Sequence, residues 1–216
     1  MKLFFYYCFP GFSNCYVLGS DKPQAAPGDA SPKESSPREA IIIDPGSMEN
    51  KTLESIEFND YKLRAVLITH DHNRHIYGLR TLKRIYQVEV FAINSIIQDS
   101  RTTQVKDGDK IQIGPFTVEV ISIPGHSSDS VVYLIDNLLF TGDVLTAGLV
   151  GSTASAYGAA MQMNRLRNRL LSLPGDYTVL PGHGPPSTLE AERSFNVGIS
   201  QYKEVHARKP AFRVDL

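Results

Sequence analysis

Cysteine is scarce in this chain: Cys8 and Cys15 are the only two among 216 residues. Two thiols build no disulfide framework, and their spacing fits no common zinc pattern, so they read as core thiols in neighbouring strands. No apolar run approaches the roughly 18 residues that a spanning helix needs. A surplus of basic charge is also missing. The chain has 22 Lys and Arg against 23 Asp and Glu, for a net charge of −1. Such a balance offers no general attraction for nucleic acid or an anionic membrane. There is no Gly-x-Ser-x-Gly elbow, which argues against a serine α/β-hydrolase. There is no Gly-x-x-x-x-Gly-Lys-Ser/Thr loop either, which argues against nucleoside triphosphate hydrolysis. The opening Met1 to Phe9 is short, aromatic and followed by Pro10-Gly11, so it reads as a strand and turn and not as a secretory signal. A cytoplasmic protein acting on a small molecule, without nucleic acid or membrane partners, is the expectation; oligomeric state is left open.

What is present fits one domain spanning 1–216. Hydrophobic residues make up 42% and charged residues 21%, enough for a real core. Residues 3–9 and 15–18 read as a hairpin. Residues 20–39 are rich in Pro, Ala, Ser, Asp and Lys and read as a flexible inserted loop. Strands are expected at 40–44, 65–69, 89–92, 110–113, 116–123, 131–135, 138–141 and 177–180. Helices are expected at 48–57, 73–86, 94–100, 157–173 and 188–202. Two halves result, each beginning with strands and closing with helix. That is an α+β pattern, best satisfied by two packed sheets with helices outside.

The chain's most concentrated chemistry is Leu67-Ile-Thr-His-Asp-His-Asn-Arg-His75, which holds three of the six histidines. Side chains alternate along an extended segment, so His70 and His72 point the same way, a natural pair of ligands for one metal ion. His75 follows a helix start at Asn73, and by this reasoning alone it faces elsewhere. Three later strands end in a glycine turn followed by a ligand-type side chain: Gly125-His126, Gly142-Asp143 and Gly182-His183. Rigid sheets present functional groups on such strand-end loops. The 148–158 loop and Tyr157 are expected to line the mouth of the site.

In this order the motifs resemble the metallo-β-lactamase superfamily, and its short glyoxalase II-like hydrolases in particular. Ser13-Asn-Cys-Tyr-Val-Leu18, Ile43-Asp-Pro-Gly46, Leu171-Ser-Leu173 and Pro181-Gly-His-Gly-Pro185 extend the resemblance. It implies a four-layer αβ/βα sandwich. It also implies a first metal site from His70, His72 and His126, with Asp143 bridging to a second site from His75 and His183. The family pattern His-x-His-x-Asp-His has Arg74 in place of its aspartate. An arginine stays protonated and only donates, so it cannot ligate a cation. The second site is therefore expected to be weakened and the first to dominate. Arg74 either swings outward on the helix surface or pairs with Asp143 inside the second site.

One or two zinc ions are the expected cofactor, with iron as the alternative. Zinc with an open position lowers the pKa of its water to about 7, which suits thioester or ester hydrolysis. Asp143 is the candidate to orient that water, and Arg74 a candidate to stabilise the oxyanion. A mononuclear iron enzyme resembling the persulfide dioxygenases and a non-catalytic scaffold with a degenerate second site are the competing readings.

Overall fold

Each long strand carries apolar residues for two different cores, because successive side chains leave a strand on opposite faces. The computed structural model of the chain describes residues 1–9, 11–21 and 38–201. The first sheet contains β1 (Lys2–Cys8), β2 (Ser13–Gly19), β3 (Arg38–Ile43), β4 (Tyr61–Leu67), β5 (Glu89–Ala92) and β6 (Thr103–Gln104) side by side in that order. β1, β2 and β3 pair antiparallel, whereas β3 through β6 run parallel. The second sheet is formed from β7 (Lys110–Ile113), β8 (Phe116–Ser122), β9 (Val131–Ile135), β10 (Leu138–Gly142), β11 (Thr178–Pro181) and β12 (Ser187–Thr188). It is antiparallel except where β10 meets β11.

Alternation sorts the side chains cleanly. Tyr16, Leu18, Ile41, Ile43, Ala65 and Leu67 face Val118, Val120, Val131, Tyr133, Ile135 and Phe140 between the sheets. Their neighbours Val17, Ile42 and Val66 turn outward onto Ile56, Leu79 and Leu82. These come from the helices α1 (Asn50–Phe58) and α3 (Leu79–Ile85), which follow and flank the short α2 (Asn73–Ile76). On the far side, Ile121, Val132, Leu139 and Val179 pack under Met163, Leu166, Leu170 and Leu189. Those side chains belong to α4 (Ala156–Arg165), its π-helical continuation Leu166–Leu170, and α5 (Leu189–Phe195). Helix, sheet, sheet and helix thus make the expected four-layer αβ/βα sandwich. Burial of each such aliphatic side chain contributes roughly 1.5–3 kcal/mol before conformational entropy is counted.

Several expectations change. The single helix over 73–86 is broken into α2 and α3 at Tyr77-Gly78. There Gly78 N–H donates to Gly46 O, and a Cβ on Gly78 would come within 2.5 Å of Pro45 O, so backbone contact displaces helical continuity. Residues 94–100 are not a helix: Ile96–Ile97 pairs with Ser100–Arg101 around Gln98 and Asp99, both at positive φ. Four residues cannot form a helix through two left-handed positions. The loop expected over 20–39 lies largely outside the described residues, although Arg38 and Glu39 already belong to β3. Cys8 and Cys15 are free, buried thiols in β1 and β2, as expected of core residues. Among the described residues no helix is long and apolar enough to cross a membrane.

Candidate metal centre

Parallel β3 and β4 end side by side, and the loops leaving them carry Asp44 and the histidine segment. Asp44 sits at φ 49° and is 2% exposed. Its Oδ1 accepts Thr69 N–H at 2.8 Å, and its Oδ2 accepts Thr69 Oγ1–H at 2.6 Å. The Thr69 hydroxyl proton is thereby committed, so Thr69 Oγ1 accepts from His70 Nδ1 at 3.1 Å. Asp44 Oδ2 also accepts from His75 Nδ1 at 3.1 Å. One buried carboxylate therefore orients two imidazoles, one directly and one through a hydroxyl.

His70 and His72 do point the same way, with ring centroids 4.5 Å apart. His126, past the end of β8, joins them: its Nε2 lies 3.1 Å from His72 Nδ1, and its ring centroid is 5.0 Å from that of His70. Asp143, past the end of β10, closes the group. Its Oδ2 is 3.8 Å from His70 Nε2, 3.5 Å from His126 Nε2 and 3.5 Å from His183 Nε2. His75 does not face elsewhere. The short α2 turns its ring back to 4.3 Å from His70, with Nε2 3.4 Å from Asp143 Oδ1. Two overlapping clusters result: His70, His72, His126 and Asp143, then His75, Asp143 and His183.

These groups fit a metal. Ligand atoms about 2.0–2.1 Å from one tetrahedral zinc stand roughly 3.3 Å from each other, close to the spacings here. His70 Nε2, His75 Nε2 and Asp143 Oδ1 are buried with no hydrogen-bond partner among the described residues. Such orphaned atoms are costly unless something binds them. Four of the five rings are held from behind through Nδ1. Beyond the Asp44 contacts, His126 Nδ1 donates to Ser152 O at 2.8 Å and His183 Nδ1 to Phe12 O at 2.6 Å. Those bonds fix the tautomer that leaves Nε2 free toward the centre. Gly182 has to be a glycine, since a Cβ there would lie 2.5 Å from both Asp143 Oδ1 and His75 Cε1.

Burial pushes His70 down to about 3 and also lowers His72, so both rings are neutral and ready to ligate. At His75 burial acts in the same direction, but the Asp143 and Asp44 carboxylates set against its two nitrogens outweigh it and hold the ring up at about 10. The Asp143 carboxyl lies below the usual carboxylate range: burial would raise it, and His75 overrides that.

Arg74 does not pair with Asp143, whose ion-pair partners are four histidines. The arginine is exposed and lines a separate pocket with Gly11, Ser47, Asn73 and Tyr77. Of the expected mouth residues, the 148–158 loop reaches the centre through the Ser152 carbonyl, while Tyr157 is exposed on α4. Sequence reasoning gave no role to Thr69 or Asn14. Asn14 donates Nδ2–H to Pro181 O at 2.9 Å and Gly184 O at 2.8 Å, holding the loop that carries His183. Its signal was the Ser13-Asn14 pair already noted as part of the resemblance.

The metallo-β-lactamase superfamily model matches residues 34–106 and 93–183, which together span more than half of the chain. The chain belongs to the metallo-β-lactamase superfamily. It is 30% identical over 217 residues to an uncharacterized protein of Mycobacterium tuberculosis, covering 85% of this chain and 91% of that one. It is 35% identical over 149 residues to the hydroxyacylglutathione hydrolase of Vibrio cholerae, covering 68% of this chain and 57% of the enzyme. The chain thus spans little more than half of that relative. Among solved structures, a B3 metallo-β-lactamase, BLEG-1, superposes with TM-score 0.77 at 25% identity, covering 92% of this chain and all of that one. ETHE1 from Myxococcus xanthus superposes with TM-score 0.77 at 24% identity, covering 99% and 93%, and supports the fold alone. The superfamily fold and the His/Asp cluster together mark a divalent-metal centre.

Proposed function

We propose that the chain is a metal-dependent hydrolase of small thioesters or esters, with the His70–His72–His126 site dominant. The observation that carries this reading is the convergence of inner imidazole nitrogens on Asp143, those of His70 and His75 without a hydrogen-bond partner among the described residues and each ring but His72 held from behind. Similarity to the Vibrio hydroxyacylglutathione hydrolase supports the thioester class. Zinc suits the all-imidazole and carboxylate donor set. A divalent ion in this position supplies Lewis acidity to a water and to a substrate carbonyl.

The chain's own residues do the rest. His70, His72 and His126 hold the first position. Asp143 faces both clusters, its Oδ2 toward His70, His126 and His183 and its Oδ1 toward His75, and from there it orients the attacking water. His75 holds a proton at neutral pH that a second cation must displace, which favours the first position. We place the protein in the cytoplasm with a small-molecule substrate as its partner.

The test is metal content per chain together with hydrolysis of a hydroxyacylglutathione thioester. Zinc near one equivalent, with turnover abolished by chelation and restored by zinc, is the expected result. Iron in anaerobically purified protein with oxygen-dependent turnover would overturn the hydrolytic reading. A folded protein that takes up no metal would overturn catalysis altogether.

A further inference from the structure

We propose that the pocket around Arg74 is a substrate subsite for a carboxylate carried on one arm of the ester or thioester; the inference rests on the hydrolytic reading above. The pocket measures about 230 Å³ and is lined by Gly11, Ser47, Asn73, Arg74 and Tyr77. Its walls are the same backbone segments that carry the candidate ligands. Asn73 and Arg74 lie between His72 and His75, and α2 fixes their direction. Gly11 adjoins Phe12, whose carbonyl holds His183 from behind at 2.6 Å. Ser13 Oγ–H donates to Arg74 O at 2.6 Å, which ties the β1–β2 turn to α2.

Charge selects the ligand. Arg74 is the only cation lining the pocket, and among the described residues its guanidinium has no ion-pair partner. Ser47 lines the same pocket and adds no charge to it. A guanidinium presents parallel N–H donors matched to a carboxylate, and one cation matches one negative charge. The Tyr77 ring and the bare backbone of Gly11 make the remaining wall apolar, which strengthens an ion pair formed against it. Gly11 keeps the turn close: a Cβ there would stand 3.3 Å from Arg74 Cβ and from Arg74 O. With Asp143 engaged by histidines, an anion from outside is the remaining partner for this arginine.

The experiment compares lactoyl-N-acetylcysteamine, which is neutral, with two charged thioesters. Lactoyl-3-mercaptopropionate carries the carboxylate on the thiol arm, and succinyl-N-acetylcysteamine carries it on the acyl arm. Arg74→Met should raise KM for at least one charged thioester by roughly tenfold more than for the neutral one, with kcat following less, and Arg74→Lys should recover part of the difference. Charged and neutral substrates changing alike, or no change, would overturn the subsite. A second arm does not depend on turnover. The thioether 3-(butylthio)propionate and its amide are titrated by NMR into the full chain, wild type and Arg74→Met. Preference of wild type for the acid, lost in Arg74→Met, supports the subsite even if no thioester is hydrolysed. Equal binding of acid and amide by wild type overturns it while leaving hydrolysis untouched.

Discussion

The two halves of the metal centre share Asp143 yet differ in charge. His70, His72 and His126 form one cluster in which burial keeps His70 and His72 neutral. His75 and His183 form the other, and there two carboxylates, Asp44 and Asp143, hold a proton on His75 to about pH 10. Identical side chains a few ångströms apart are thus prepared for different tasks. What separates them is how closely the same two carboxylates approach: Asp44 stands 3.1 Å and Asp143 3.4 Å from the nitrogens of His75, whereas His70 meets Asp44 only through Thr69 and Asp143 at 3.8 Å.

Replacing one ligand in each cluster should break the symmetry most plainly. His70→Ala is expected to abolish metal binding and cut turnover by on the order of 10³-fold or more, as loss of a first-sphere ligand removes the Lewis acid. His183→Ala should cost only about 10–100-fold, the scale of a supporting contact. Metal titration and single-turnover rates on both variants check this, and equal losses would erase the distinction drawn here.

Proton counting gives the next largest effect. A cation entering beside His75 displaces a proton below about pH 10, so affinity there should rise about tenfold per pH unit between 7 and 9, whereas His70 and His72 have none to release. Calorimetry in buffers of different ionisation enthalpy reads the proton directly. The chelated protein carries the matching stability signature. The folded pKa of His75 is raised, so its contribution is complete below the unfolded value of about 6.5 and is lost as pH rises through about 10. Denaturant midpoints of chelated protein should fall as pH rises across that window.

The smallest effect lies away from the centre and serves as a control. The Asp107 carboxyl lies below its ordinary pKa: burial opposes this, but Ser122 N–H at 2.9 Å and Arg169 at 2.7 Å win. Asp107→Asn should cost about 0.5–1 kcal/mol, since the pair is partly exposed. A depressed carboxylate stabilises above its unfolded pKa, so the difference should vanish as pH falls below about 4. Metal affinity should not change, and urea melts with metal titration test both.

Period-two patterning made the sheets legible, because Ile41-Ile-Ile43 or Val118 to Ile121 has only one way to fill two cores. The paired direction of His70 and His72 followed from the same rule. The sense of His75 did not, because it depends on where α2 stops, and that is set by Gly78 packing against Pro45 and Gly46. The hairpin at 96–101 was hidden because its turn relies on left-handed Gln98 and Asp99, residues that carry no strong turn signal. The contacts behind His126 and His183 were unreadable for a simpler reason: Ser152 and Phe12 act through their carbonyls, which every residue has. Arg74 was recognisable as anomalous, but its direction required the position of the β1–β2 turn beside it.

The candidate ligands are divided evenly between the layers. His70, His72 and His75 follow β4 of the first sheet, while His126, Asp143 and His183 follow strands of the second. Asp44, Thr69, His70 and His75 therefore all sit in loops that leave the parallel β3–β4 pair. An ion held by both sets would cross-link the two sheets of the sandwich.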